Sequence, residues 1–313
     1  MDIGVVFQSI AMITILIVIG AVAARFYVFN DETKNMYITL ITNVAMPSII
    51  LSSIFTVEID RNMFKTLILI FVFSVLINLI GLLIGYVTAS LSPKYSEKRI
   101  EVAILSAFGN TGFIGIPLCA VLFGAEGALY AAVFDAGVDF TIWTVGVYLM
   151  QNERKISWAL LKNMINIPLI AIVLGIVVAL TGVRIPSLFM NVTTSLAAFA
   201  IPLAMFYIGA TFYNFQSSKV RVGYFVAAVP VLIKLIVLPL TIVVAIKFVR
   251  LDGLLMNVLI VQSTMPALTL SSVLFAKYSR DYKLGALVTI ISTIAALFII
   301  PVMLYCIDEY FLN

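Results

Sequence analysis

The stretch SAFGNTGFIGIPL, residues 106–118, decides the fold that this sequence can adopt. Within nine residues it brings together three glycines and a proline: Gly109, Gly112, Gly115 and Pro117. Inside a helix, glycine costs about 1 kcal/mol and proline about 3 kcal/mol relative to alanine. Pro117 also removes a backbone donor and disfavours helical geometry at the residue before it. We therefore predict a helix that breaks near residues 112–116 and restarts with Pro117 at its first position.

The sequence around this stretch is apolar enough to place the break in a membrane. The chain is 63% hydrophobic and 11% charged, with a mean hydropathy of +1.17, whereas about 25% of the residues in a soluble domain are charged. Because about 20 apolar residues cross a bilayer, we predict an all-α membrane protein of ten spans. Spans 1 to 10 are residues 4–24, 36–56, 64–90, 100–122, 127–150, 163–182, 187–212, 223–248, 254–276 and 284–307.

A broken helix is tolerated in a membrane only where protein or water surrounds its backbone. Amides freed at the N-terminus of a half-helix carry part of the helix dipole and favour an anion. Asn110 and Thr111 stand beside the predicted break and would add side-chain hydrogen bonds. The stretch therefore predicts a binding site for a small anion, and a simple proline kink is the alternative.

Prolines at matching places in the two halves of the chain indicate an internal repeat. Pro47 and Pro202 lie in spans 2 and 7, and Pro117 and Pro266 lie in spans 4 and 9. A repeat unit of five spans would insert its second copy in the opposite orientation, as in many secondary transporters. The alternative is that prolines fall in these four spans by chance. We expect a 5+5 inverted repeat in which the broken spans 4 and 9 meet.

Span 9 would supply the second part of the substrate site. Gln262, Ser263 and Thr264 stand beside Pro266, in the stretch VQSTMPALTLSS. In span 2, Asn43 is a further candidate for contact with the substrate, and a role in helix packing is its alternative.

Three ionisable residues, Asp135, Asp139 and Lys234, lie deep in predicted spans. Intramembrane charges cost about 2.5–3.5 kcal/mol on insertion scales and are candidates for function. Asp135 and Asp139 are four residues apart and share one helix face, where two carboxylates tend to share a proton. We expect either coupling of transport to H⁺ or Na⁺ at these carboxylates or a structural ion pair with Lys234.

The sequence also limits the chemistry and sets an orientation. It contains no histidine, which excludes histidine-ligated zinc and Ser-His-Asp catalysis, so no cofactor or metal is expected. Cys119 and Cys306 lie in apolar runs and are expected to be buried thiols. Loops after odd-numbered spans hold 13 lysines and arginines and the other loops hold 5. This bias predicts a cell-membrane protein, at the inner membrane, with both termini outside the cytoplasm.

These residues resemble the auxin efflux carrier family and its bacterial members similar to organic-acid permeases; bile acid/sodium symporters are a more distant likeness. The resemblance covers the whole chain through AFGNTGFIGIPL (107–118), FDAGVDFTIWTVGVYL (134–149), IPLAMFYIGATF (201–212), IKLIVLPL (233–240) and MPALTLSSVLFA (265–276). One departure is the short connection at 151–162, where many plant members have a long cytoplasmic loop.

The resemblance implies a secondary transporter of small organic anions that works by an elevator mechanism. Its substrates would be carboxylates such as malate, malonate or auxin-like acids. Residues 1–62 and 156–218 would form a scaffold, with a possible homodimer through its helices, and residues 63–155 and 219–313 would form the transport domain. The alternatives are a passive anion channel and an intramembrane aspartyl protease. The protease needs carboxylates on facing helices, whereas Asp135 and Asp139 share one.

Overall fold

The computed structural model describes residues 3–151, 165–183, 185–216, 224–249, 251, 253–278, 280–307 and 309. The described residues are helical, with a single isolated β-bridge and no strand. The helices are α1 (Ile3–Ala23), α2 (Asp31–Thr56), α3 (Arg61–Ser90), α4 (Arg99–Ala107), α5 (111–123), α6 (125–150), α7 (Ile167–Thr181), α8 (Ser187–Gln216), α9 (224–249), α10 (Gly253–Ser263), α11 (Ser271–Lys277) and α12 (Tyr282–Ile307).

Local sequence explains where several of these helices begin and end. The side chains of Asn30, Asp60 and Asn166 accept hydrogen bonds from the backbone N–H three residues later and so cap α2, α3 and α7. Between α5 and α6 the chain turns at Gly124, whose φ of +67° is a conformation that glycine adopts at little cost.

Seven helical stretches in the described part of the chain are long and apolar enough to cross a membrane. The sequence predicts ten spans, and the difference has physical causes. Predicted spans 4 and 9 are interrupted, so α4, α10 and α11 are too short on their own, and α7, the described part of span 6, has only 15 residues. Spans 4 and 5 join into one stretch of 40 residues, Thr111–Met150, that contains the turn at Gly124. Residues 163–164 of span 6, residue 223 of span 8 and the expected domain boundaries near 156 and 218 lie outside the described residues.

Within the described helices α2, α5, α6 and α9, four π-helical turns widen the helix at particular places. They are Ile41–Ala45 in α2, Thr111–Gly115 at the start of α5, Ile142–Gly146 in α6 and Ile233–Val237 in α9. Such turns are rare and are often found at functional sites.

Several helix pairs make extensive contacts. α1 and α2 both contact α8, and α2 also contacts α7. α3 packs on α4 and on the helical stretch Thr111–Met150, while α9 and α11 pack on α12. α2 also contacts the stretch Thr111–Met150, and α1 also contacts α12. The start of α4, the end of α6 and the start of α12 are tied together, where the Lys98 ammonium lies 2.5 Å from the Asp281 carboxylate and Arg280 donates to the carbonyl of Met150. Partial burial raises the pKa of Asp281, but the hydrogen bonds from Lys98 and from the Leu284 N–H lower it more, so its pKa lies below the usual value.

Close backbone contact joins α1 to α8. A Cβ atom added at Gly209 of α8 would lie 2.1 Å from the carbonyl oxygen of Ile17, and one added at Gly20 of α1 would lie 2.5 Å from the Cα atom of Phe206. Since these neighbours are backbone atoms, they cannot move aside without displacing a helix. Small residues of this kind let membrane helices approach each other closely.

We expect Gly209→Ala to force α1 and α8 apart and to destabilise the protein by about 1–3 kcal/mol, the usual effect of overpacking. The melting temperature in detergent measures this loss. Val192→Ala is the control on the same helix, because Val192 is 48% exposed and its truncation should change little. Equal melting temperatures for Gly209→Ala and the wild type would show that the two helices are not in tight contact.

Candidate functional site

Two interrupted helices meet and hydrogen-bond to each other. The first interruption is residues 108–110, between α4 and α5, and the second is residues 264–270, between α10 and α11. The Asn110 N–H donates to the Pro266 carbonyl at 2.7 Å, and the Leu268 N–H donates to the Phe108 carbonyl at 3.0 Å. These bonds form an antiparallel bridge between Gly109 and Ala267. Backbone groups that each helix loses at its break are thus satisfied by the other, as burial requires.

The first break lies a few residues before the predicted place. The sequence predicts it at residues 112–116, but those residues continue the helix through the π-helical turn Thr111–Gly115. The wider turn accommodates the missing N–H and the ring of Pro117, because the Gly115 and Ile116 amides bond five residues back, to Asn110 and Thr111. Asn110 begins the new helix, and its side-chain oxygen accepts from the Phe113 N–H at 3.3 Å.

A cavity of about 260 Å³ lies beside the first break. It is bounded by the middle of α2, the start of α5, one face of α6, the start of α7 and the segment before α11. The residues that line it are Thr42, Asn43, Met46, Asn110, Gly112, Phe113, Asp135, Asp139, Trp143, Asn166, Pro168, Leu268, Thr269 and Leu270. The two interrupted segments are joined at its wall, where the Asn110 amide donates to the Thr269 hydroxyl at 2.6 Å.

Two carboxylates give the cavity its charge. Asp135 accepts from the Thr111 hydroxyl at 2.5 Å, and Asp139 accepts from the Asn166 amide at 2.5 Å. A Cβ atom at Gly112 would lie 2.9 Å from a carboxylate oxygen of Asp135, so only glycine lets this carboxylate approach the start of α5. None of the described lining residues is a lysine or an arginine.

Among the described residues no ion pair joins Lys234 to Asp135 or Asp139, which was one of the two alternatives that the sequence left open. Lys234 is buried in the π-helical turn of α9, and its ammonium donates to the carbonyl of Ala107 at 3.0 Å. Asp135 and Asp139 are bonded instead to Thr111 and Asn166. The reason is geometric, because the Lys234 side chain lies against Gly109 whereas Asp135 lies against Gly112.

The structure brings only part of the predicted site to the cavity. Asn43, Asn110, Gly112, Asp135 and Asp139 line it. Thr111 touches it indirectly through Asp135.

Other predicted residues lie elsewhere. The hydroxyls of Ser263 and Thr264 donate to carbonyls of their own helix, and the Gln262 amide lies 3.4 Å from the Ala131 carbonyl. Gly115 is packed against the Gln262 side chain, Pro117 is buried in α5, and Pro266 lines a small apolar void. The break in the second helix begins only after Ser263, so the residues that reach the cavity are Leu268, Thr269 and Leu270.

Trp143 and Asn166 line the cavity and were not predicted, although the sequence contains a pattern that could have identified each of them. Trp143 follows Asp135 and Asp139 at the same spacing of four residues and therefore lies on their helix face. Asn166 precedes Ile167 and Pro168, a pattern typical of a helix N-cap with proline in the first turn. Thr269 had no such signal, because its contribution depends on the irregular backbone before α11.

A helical membrane chain with a polar cavity at two interrupted helices defines a multi-pass membrane transport protein. The comparison with known families agrees. The family model described as "Membrane transport protein" matches residues 5–304, and the chain belongs to this family, which includes the auxin efflux carriers.

Several relatives extend the comparison. The chain is 28% identical to an uncharacterized transporter of Methanocaldococcus jannaschii, over 93% of this chain and 95% of the relative. It is 25% identical to an uncharacterized transporter of Methanothermobacter thermautotrophicus, over 94% and 96%. It is also 25% identical to "Probable auxin efflux carrier component 9" of Oryza sativa subsp. japonica, over 47% of this chain and 35% of that protein. The family and these relatives are transporters and not enzymes.

Proposed function

We propose that this protein is a secondary transporter of small organic anions, with carboxylates such as malate, malonate or auxin-like acids as its substrates. The observation that carries the proposal is the cavity at the start of α5, where Gly112 and Asn110 adjoin two carboxylates inside the membrane. Membership of a transporter family supports the general activity, and the similarity to the rice protein is the reason to test auxin-like acids.

The start of α5 provides the anion-binding groups. The first amides of a helix have no acceptor within the helix, and the helix dipole makes this end positive. Gly112, the second residue of α5, lines the cavity without a side chain to cover its backbone. The Asn110 amide and the Thr269 hydroxyl, now bonded to each other, turn toward a bound carboxylate and complete its hydrogen bonds.

The two aspartates explain how such a site is controlled. With no basic side chain among the described lining residues, ionised Asp135 and Asp139 repel an anion. Binding of a proton or of Na⁺ at these carboxylates removes that repulsion, so the cation must bind before or with the substrate. The anion and the cation then cross together, which couples transport to an ion gradient.

The same carboxylates suit a second kind of cargo. A cavity lined by Asp135, Asp139 and the aromatic face of Trp143 also fits an organic cation.

A melting screen of carboxylates and organic amines, with and without Na⁺ and at two pH values, separates an anionic cargo from a cationic one. Counterflow in proteoliposomes then tests the carrier mechanism, because a passive channel gives no saturable counterflow. Stabilisation by amines and not by carboxylates would overturn the assignment of anions as the cargo.

The packing supports an elevator mechanism. The group of α1, α2, α7 and α8 serves as the scaffold, and the group of α3–α6 and α9–α12 moves as the transport domain with the two breaks inside it. In this arrangement α4 with α5 and α10 with α11 are the crossing, interrupted spans of a ten-span 5+5 inverted repeat. The cavity lies where the two groups meet, since α2 and α7 line it on one side and α5 and α6 on the other. A homodimer would form through the scaffold helices.

The orientation proposed from the loop charges can be tested directly. In a background that lacks Cys119 and Cys306, Ser96→Cys probes the loop before α4 and Glu58→Cys probes the loop before α3. A membrane-impermeant thiol reagent should label Ser96→Cys only in inside-out vesicles, because the positive-inside bias places the loop before α4 in the cytoplasm. It should label Glu58→Cys only in right-side-out vesicles, because the same bias places the loop before α3 outside. The reverse pattern would show that both termini face the cytoplasm.

Asn110→Ala tests the anion site. The change removes a hydrogen-bond donor at the cavity wall, and a lost bond to a charged group costs about 1.5–3 kcal/mol. We expect roughly 10- to 100-fold weaker binding of the best substrate from the screen, measured by isothermal titration. Thr269→Val should weaken binding in the same direction, and Asn191→Ala, an exposed position on α8, is the control. A folded Asn110→Ala protein with undiminished affinity would move the site elsewhere.

Asp135→Asn and Asp139→Asn test the coupling. Asparagine keeps an oxygen that can accept from Thr111 or Asn166 but cannot bind a proton or be ionised. We expect uptake by each variant to lose its dependence on pH or Na⁺, whichever the wild type shows. Asp60→Asn is the control, since asparagine caps a helix as well as aspartate does. If uptake by both variants keeps the ion dependence of the wild type, the two aspartates are not the coupling site.

A further inference from the structure

The ammonium group of Lys234 lies at the first break, and Lys234 does not line the cavity. Lys234 is 2% exposed and lies in the π-helical turn Ile233–Val237 of α9. Its Nζ atom is 3.0 Å from the carbonyl oxygen of Ala107, the last residue of α4. A Cβ atom at Gly109 would lie 3.1 Å from Cε and 3.2 Å from Nζ of this lysine, so the side chain is in contact with the backbone of the break.

The Lys234 ammonium lies at the C-terminal end of α4, which is the negative end of a half-helix. The last carbonyls of a helix have no partner within the helix, and the dipole makes that end negative. At the end of α4 these carbonyls belong to fully buried residues, Leu105, Ser106 and Ala107, where water does not solvate them. A cation at the end of α4 binds these free carbonyls and so stabilises the break. The carbonyls in turn offset the free-energy cost of burying an ammonium group.

The ammonium is not otherwise explained by its surroundings. It has three N–H donors, and among the described residues its hydrogen bond goes to the Ala107 carbonyl, with no ion pair to a carboxylate. Lys234 is also absent from the lining of the cavity. It therefore neither contacts the proposed substrate nor neutralises Asp135 and Asp139.

We infer that the C-terminal end of α4 is a monovalent cation site, and that this chain fills it with its own Lys234 ammonium. The ligand class of the site is a primary ammonium ion. This inference goes beyond the proposed function, because it concerns what occupies the other side of the break and holds whatever the cargo and the coupling ion are.

The site has a consequence for the cavity. The Lys234 side chain lies against Gly109 and the Asp135 carboxylate lies against Gly112, so a positive and a negative charge lie beside backbone positions only three residues apart. When the carboxylates are neutralised by a coupling ion, the charge of Lys234 remains and favours an anion at the start of α5. Lys234 thus acts as a positioning and electrostatic residue that does not touch the substrate.

Chemical rescue of Lys234→Ala tests the cation site. The substitution removes three carbons and the ammonium, which is the shape of n-propylammonium. We expect the variant to melt roughly 5–10 °C lower than the wild type, and millimolar propylammonium to restore most of this loss. Equal concentrations of propanol and of tetramethylammonium should not, because one lacks the charge and the other lacks N–H donors. The assay is a melting curve without substrate, so its outcome does not depend on the proposed cargo.

Three further variants make the outcome decisive. Lys234→Met fills the space with an uncharged chain and should show no rescue, and Lys247→Ala, at an exposed position on the same helix, should show neither loss nor rescue. Lys234→Arg keeps the charge and a donor to Ala107 and should retain uptake, while Lys234→Met should lose most of it. A folded Lys234→Ala protein that propylammonium does not stabilise would overturn the inference. If that variant does not fold, wild-type uptake by Lys234→Met would overturn it instead.

Discussion

The bridge between the two interrupted helices, in which Asn110 donates to Pro266 and Leu268 donates to Phe108, is the interaction on which the rest of the structure depends. A bilayer offers no water to solvate a broken backbone, so each break is stable only while the other is beside it. The two bonds also fix the start of α5 next to the segment before α11. The cavity, its polar wall and the contact of Asn110 with Thr269 all follow from that arrangement.

The charges around the first break make the binding of an anion depend on whether the two carboxylates are ionised. Two carboxylates line the cavity and the Lys234 ammonium does not; Asp135 lies against Gly112 and Lys234 lies against Gly109, where the glycines leave room for them. A bound anion next to ionised carboxylates is unfavourable, and a bound anion next to neutralised carboxylates and a remaining ammonium is favourable. A coupled carrier needs this difference, because a site that holds its substrate under all conditions cannot release it. The π-helical turns carry the residues concerned: Asn43, Gly112, Trp143 and Lys234 each lie in one.

The helical membrane class and the family could be predicted from the sequence, because apolar runs and the NTG-x-x-G-x-P stretch are local signals. Part of the site was also predictable: Asn110, Gly112, Asp135 and Asp139 stand out by residue type and spacing. The break at residues 108–110 was misplaced, since glycine and proline content shows that a helix is weak and not how a π-helical turn absorbs the proline. The partners of Lys234 and the contribution of Thr269 were not predictable either, because both depend on which segments the fold brings together.

In the proposed function an organic anion binds at the junction of the two breaks. The most direct measurement is an experimental structure of the protein in lipid with the best substrate from the melting screen. We expect a substrate carboxylate within hydrogen-bonding distance of the Gly112 amide and of Asn110 or Thr269, with Lys234 still bonded to Ala107. A substrate bound away from these residues, or a helix that runs without interruption from Arg99 through Gly115, would contradict it.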